Sequence, residues 1–175
     1  APVKGALMAH ERYGADIILT GKEEKIMEAA RQCGCKELPA GVEIVNAAEV
    51  VEICDDPATA FKKKKDSSLT VGLTMLHGGE ADGFVSAGST GALLAGATLV
   101  VKRIRGLRRA ALAPTIPTAK GKAVLIDCGA NAECTPEFLL QFAFMGSYYA
   151  QKTLKLERPR VGLLNIGTED SKGGA

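Results

Sequence analysis

The chain has 175 residues, 46% of them apolar and 24% charged, with a net charge of +2, which describes a folded globular protein with a core of its own. Near-neutral charge leaves no global nucleic-acid footprint, and the absence of Trp with only 5% aromatics argues against a base-stacking surface. No apolar run reaches the roughly 18 residues of a membrane span and no signal peptide is evident; Cys33, Cys35, Cys54, Cys128 and Cys134 lack paired C-x-x-C spacing and read as reduced thiols rather than a zinc site.

Val3 to Tyr13 has helical spacing, with Val3, Leu7 and Met8 on one side, and Gly14 ends it. Ala15 to Leu19 is a short buried-strand pattern. Glu23 to Cys33 reads as an amphipathic helix with Ile26, Met27 and Ala30 inward and Gly34 as its C-cap. Val42 to Val45 is a second strand. Ala58 to Lys65 reads as a helix that Asp56 caps and Pro57 starts, and Ser68 to His77 as another that stops at Gly78-Gly79.

Asp82 to Ser86 is the next strand pattern, followed by an Ala/Leu/Gly-rich helix from Thr90 to Arg103. Ala110 to Ala113 reads as a strand and Pro114 to Thr118 as a proline-punctuated connection. Ala123 to Ile126 is another strand. Thr135, Pro136 and Glu137 mark the start of a helix running to about Leu154, and Val161 to Asn165 is the last strand. Alternation of this kind predicts a single α/β domain over 1–175, with a mostly parallel open sheet and helices on both faces. Both ends read as cut, because Ala1-Pro2-Val3 leads straight into a helix and Gly173-Gly174-Ala175 comes straight after a strand and its loop. A fragment of a longer chain is expected.

Four polar stretches, each rich in Gly, Ser, Asn or Lys, stand out: Lys64 to Ser68, Ser86 to Gly91, Asp127 to Asn131, and Asn165 to Gly173. The last three each come directly after an apolar run. In an open α/β sheet, loops at the carboxyl ends of strands gather where ligands bind, and small residues let backbone N–H groups approach an anion.

Each stretch also has a plain structural reading. Ser89 or Thr90 caps the helix after Ser86, with Gly88 and Gly91 allowing a tight turn. The spacing matches neither a G-x-G-x-x-G fingerprint nor a Walker loop. Lys62 to Lys65 is a cationic helix end that complements the helix dipole, and Asp66, Ser67 and Ser68 cap the next helix; the same geometry places a lysine beside a helix N-terminus as an anion clamp. Asp127 anchors its loop by accepting backbone hydrogen bonds, with Gly129 allowing the turn, while Asn131 offers a donor and an acceptor to a phosphate or carbonyl. Cys128 has no His nearby in sequence to make it a nucleophile. Asn165 and Gly167 end the last strand, with Glu169 and Lys172 beyond; Lys172 reads as an anion ligand or a solvated residue.

Five blocks, in order over nearly the whole chain, resemble the PlsX family of bacterial phosphate acyltransferases of phospholipid synthesis. They are Lys63 to Leu69, Phe84 to Leu93, Asp127 to Asn131, Leu139 to Ser147, and Arg160 to Glu169. Two positions depart from the pattern: Ser89, where the family more often has Asn, and Cys128, where an aliphatic residue is usual. The family's first strand and its Asp-Ala-Met-Gly-Gly-Asp loop would precede Ala1, and its second half would come after Ala175.

The resemblance implies a three-layer fold like that of the isocitrate and isopropylmalate dehydrogenases. It implies transfer of a fatty acyl group from acyl carrier protein to inorganic phosphate, with no cofactor and no metal. It also implies a homodimer in the cytoplasm, with peripheral contact to the membrane or a membrane acyltransferase. On this reading Lys65, Asn131 and Lys172 carry the chemistry. Lys64, Asp66, Ser67, Ser68, Ser86, Gly88, Ser89, Thr90, Gly91, Asp127, Gly129, Asn165, Gly167 and Glu169 surround phosphate and substrate. The basic stretch Lys102, Arg103, Arg105, Arg108 and Arg109 suits an acidic carrier or anionic headgroups, or is a solvated loop. Competing readings are phosphotransacetylase-like transfer from acetyl-CoA, a nicotinamide-dependent dehydrogenase of the related fold, and a non-catalytic module recruiting acyl carrier protein or membrane.

Overall fold

The computed structural model describes residues 1–165 and 167. It divides into two compact units, Ala1–Lys102 and Arg103–Ala175. In the first, α1 (Pro2–Tyr13) ends at Gly14, whose left-handed backbone (φ 63°) returns its N–H to the His10 carbonyl. β1 (Ile17–Gly21) and β2 (Val42–Asn46) pair in parallel, from Ile17 opposite Val42 to Gly21 opposite Asn46. The crossover between them is α2 (Glu23–Gln32), which buries Ile26 and Ala30. A parallel pair needs such a crossover because a tight turn can only join antiparallel strands.

α3 (Pro57–Lys63), α4 (Ser68–Gly78) and α5 (Thr90–Gly96) complete the unit, with a π-helical turn at Ala97–Val101 after them. Phe61, Leu69, Leu73 and Ala92 form the buried cluster where these helices meet. Two glycines set how closely they approach. A Cβ at Gly96 would overlap the Phe61 ring and the Leu73 side chain, and one at Gly72 would overlap Phe84. Close packing leaves no slack for either methyl.

The second unit holds an antiparallel hairpin of β3 (Thr115–Thr118) and β4 (Gly121–Val124), then α6 (Pro136–Leu154). Hydrogen bonding continues past the hairpin, from Leu125 N–H to Pro114 O (3.1 Å) and from Cys128 N–H to Leu112 O (3.0 Å). α6 starts on the Thr135 side chain, which accepts the Phe138 N–H, and buries Phe142, Gly146 and Ala150. A Cβ at Gly146 would lie 3.0 Å from an Ile126 methyl, so this face packs on the segment just after β4.

Several expectations are corrected. Two two-stranded sheets, one parallel and one antiparallel, stand in place of a mostly parallel sheet among the described residues. Pro117, read as part of a connection, lies in β3 opposite Lys122. A two-strand ribbon leaves one edge of each strand open, where a missing N–H costs nothing. The expected strand at 110–113 is irregular, its Leu112 bonding to the 127–128 loop instead. Asp82 to Ser86 and Val161 to Asn165 form no strand, because no described strand hydrogen-bonds alongside them. Val85 is left 97% exposed and Leu164 84%. The helix expected over 90–103 widens after Gly96, where Lys102 N–H bonds to Ala97 O five residues back (2.9 Å). No helix among the described residues is long and apolar enough to cross a membrane.

Candidate active site

The carboxyl end of the β1/β2 pair organises the first two polar stretches. Asn46, the last residue of β2, accepts the Glu23 N–H at the start of α2 (3.1 Å). Thr20, near the end of β1, donates its hydroxyl to Ser68 O (3.0 Å). Asp66 accepts the Ala48 N–H (2.9 Å), and its own N–H donates to the Glu49 carboxylate (2.9 Å). The chain leaving β2 therefore stitches the Lys64–Ser68 segment to the sheet end, where α4 begins.

Within that segment the residues divide by task. Ser67 is fully buried, and its hydroxyl accepts the Thr70 N–H (3.2 Å) while sharing a hydrogen bond with the Thr70 hydroxyl (2.8 Å). It is the N-cap of α4, placed where a short hydroxyl can satisfy an otherwise unpartnered N–H. Lys64 is committed elsewhere: its Nζ donates to Val50 O (2.7 Å) and pairs with Asp55 (2.5 Å). That hydrogen bond holds the Asp55 carboxyl below its ordinary range and raises Lys64 above its own. Lys65 is exposed and has no ion pair among the described residues. The N–H groups of Ser68 and Leu69, first in α4, also lack hydrogen-bond partners among the described residues.

The Ser86–Gly91 stretch lies against the same helix start. The Ser86 hydroxyl accepts the Gly88 N–H (3.1 Å), forming a compact turn. Ser89 caps α5 by accepting the Ala92 N–H (3.4 Å), leaving the Thr90 and Gly91 N–H groups open among the described residues; Thr90 and Gly91 are exposed. A Cβ at Gly88 would meet Leu69, and one at Gly91 would meet Pro57 at 3.4 Å. Small residues here bring the starts of α3, α4 and α5 together. Of the four stretches, these two form one cluster.

The Asp127–Asn131 loop in the second unit is built inward. Asp127 accepts the N–H groups of Leu112 (2.8 Å), Ala130 (3.2 Å) and Asn131 (2.8 Å), and the Asn131 side-chain amide (3.0 Å). Burial pushes its carboxyl up, but these hydrogen bonds outweigh that and hold it below the usual carboxylate range. The Asn131 amide also donates to Ala110 O (2.9 Å), so both of its hydrogens hold the loop rather than a ligand. Gly129 turns the chain with φ 93°, which favours glycine, and is exposed. Asn165 is exposed and Gly167 half-buried. Glu169 and Lys172 lie outside the described residues.

Sequence reasoning missed Asp55, Glu49 and Thr20. Each reaches the Lys64–Ser68 segment from well outside it in sequence, so no local spacing marks them. Among the described residues no group of three or more His, Cys, Asp or Glu could hold a metal ion.

Comparison with known proteins matches the family described as "Fatty acid synthesis protein" over residues 1–175. A protein named "Phosphate acyltransferase" from Desulfitobacterium hafniense is 48% identical over 171 residues, covering 98% of this chain and 50% of that protein. Proteins of the same name from Caldanaerobacter subterraneus subsp. tengcongensis (46% over 172 residues) and Thermoanaerobacter pseudethanolicus (48% over 172 residues) are covered to the same shares. The chain thus spans about half the length of the curated relatives it matches. It belongs to the fatty acid synthesis protein family, the PlsX family that its sequence blocks resemble.

Proposed function

We propose that the protein containing this chain is an acyltransferase that moves a fatty acyl group from acyl carrier protein to inorganic phosphate, feeding phospholipid synthesis. A phosphate oxygen attacks the thioester carbonyl, the C–S bond breaks, and the carrier leaves as a thiolate that takes up a proton. The products are acyl phosphate and carrier thiol. The observation that carries this reading is the match of the whole chain to relatives named phosphate acyltransferase. The geometry of the first unit fits it. An exposed Lys65 and open N–H groups at two capped helix starts suit a phosphate, which needs positioning more than deprotonation.

On this proposal Lys65 and the N–H groups of Ser68, Thr90 and Gly91 hold phosphate. Ser67, Ser86, Ser89, Asp66, Gly88 and Lys64 shape and brace the loops that present them. Asn131 acts through Asp127 to fix its loop, leaving the Gly129 N–H as a donor for the thioester carbonyl. The family resemblance assigns Lys172 to shielding the charge that develops on the carbonyl oxygen, and Asn165, Gly167 and Glu169 to substrate binding. The complete protein takes the three-layer dehydrogenase-like fold, works as a homodimer in the cytoplasm, and touches the membrane or a membrane acyltransferase only peripherally.

The test is to incubate the full-length protein with palmitoyl-acyl carrier protein and phosphate, and to trap acyl phosphate with hydroxylamine. Hydroxamate that requires both substrates is expected; its absence contradicts the proposal. Acetyl-CoA in place of the carrier separates the short-chain reaction, and carrier binding without turnover would mark a recruiting module.

A further inference from the structure

The second unit carries a concave basic surface that the phosphate chemistry does not use. Arg103 to Arg109 contains four arginines in seven residues. Arg103, Gly106, Leu107, Arg108, Arg109 and Phe138 line an open depression of about 550 Å³. Its shape is set by α6. Gln141 accepts the Arg108 N–H (2.9 Å) and donates to Gly106 O (3.4 Å), which fixes the loop backbone on the helix.

The guanidinium groups are held one by one. Arg108 Nε pairs with Glu137 (2.9 Å), Arg109 sits over the Phe138 ring at 5.6 Å, and Arg103 Nε donates to Leu107 O (3.3 Å). These contacts leave the terminal nitrogens of all three without hydrogen-bond partners among the described residues. Planar forks of this kind match carboxylates, and Leu107 and Phe138 give the depression an apolar lining between the charges.

We propose that this depression docks an acidic, amphipathic helix surface of the carrier that delivers the acyl thioester; the inference rests on the acyl-transfer reading. Three separately held forks serve several carboxylates of one surface better than a single small anion. An apolar side chain between those carboxylates fills the Leu107–Phe138 lining. Complementary charge of this kind mainly speeds encounter and selects the partner.

Binding of fluorescently labelled hexadecanoyl-acyl carrier protein to the full-length protein, read by anisotropy at low and high salt, tests it. Arg103→Glu combined with Arg109→Glu should weaken binding by about tenfold or more and flatten its salt dependence. Arg103→Lys with Arg109→Lys, which keeps the charge but loses the planar forks, should weaken binding by less than the Glu pair does and keep the salt dependence of the unsubstituted protein. Glu137→Gln, which removes the acid paired with Arg108, should tighten binding. An affinity for the carrier unchanged by the Glu substitutions overturns the proposal. So does a loss confined to phosphatidylglycerol vesicles, which would assign the surface to membrane. Phosphate-dependent turnover of hexadecanoyl-pantetheine by the unsubstituted protein reads the acyl-transfer reaction separately, because that substrate lacks the acidic carrier.

Discussion

The Lys64–Ser68 and Asp127–Asn131 loops look alike as sequences, both short, polar and rich in groups that could meet an anion. Their structures point opposite ways. In the first, Asp55 neutralises Lys64, Ser67 caps α4, and Lys65 and two N–H groups are left over. In the second, Asp127 gathers three N–H groups and the Asn131 amide, so the polar atoms satisfy one another. A polar loop becomes a ligand site through what its internal hydrogen bonds leave unmatched. The number of polar residues it contains does not decide it.

The sharpest way to break that contrast is Lys65→Ala. Loss of one charge-assisted contact to phosphate should lower kcat/KM for phosphate by about a hundredfold, near 3 kcal/mol, in a steady-state assay of the full-length protein. Lys62→Ala or Lys63→Ala should leave it within about twofold. Equal effects at all three positions would show that Lys65 is one more surface charge.

Asp127→Ala tests the other side. It strips several N–H groups of their acceptor, so it should cost about 1–3 kcal/mol of stability in denaturant unfolding. Since the folded-state pKa of Asp127 is depressed, its contribution is fully present above the unfolded value of about 4 and is lost as pH falls through the lower folded value. Asp127→Asn should flatten stability in that acid window and leave neutral pH less affected than Asp127→Ala. Gly96→Ala should destabilise by about 1–3 kcal/mol, because its methyl would enter the Phe61–Leu73 contact. Asp55→Asn should do least. It loosens Lys64 at a half-buried pair that does not itself hold phosphate, and should move the phosphate KM by less than about twofold.

Much of the local structure was legible because its signals are local. Asp56, Thr135 and Gly14 mark helix ends through short-range chemistry, and the structure places each in that role. β2 and the βαβ unit follow from apolar periodicity. Strands were less legible, since a strand exists only with a partner. Asp82–Ser86 and Val161–Leu164 carry the pattern but pair with no strand among the described residues, and β3 has a partner despite Pro117. At the candidate site, the cap roles of Ser67 and Ser89 were readable from spacing. The pairing of Lys64 with Asp55 was not, and it singles out Lys65 from its neighbours.

The most direct measurement is a phosphate titration of the isotopically labelled full-length protein, monitored amide by amide in NMR spectra. Phosphate held by the first loop pair should shift the Ser68, Leu69, Thr90 and Gly91 amides, and Lys65→Ala should abolish the shifts. Shifts confined to Ala130 and Asn131, with Ser68 and Gly91 unmoved, would contradict the assignment of phosphate to the first unit.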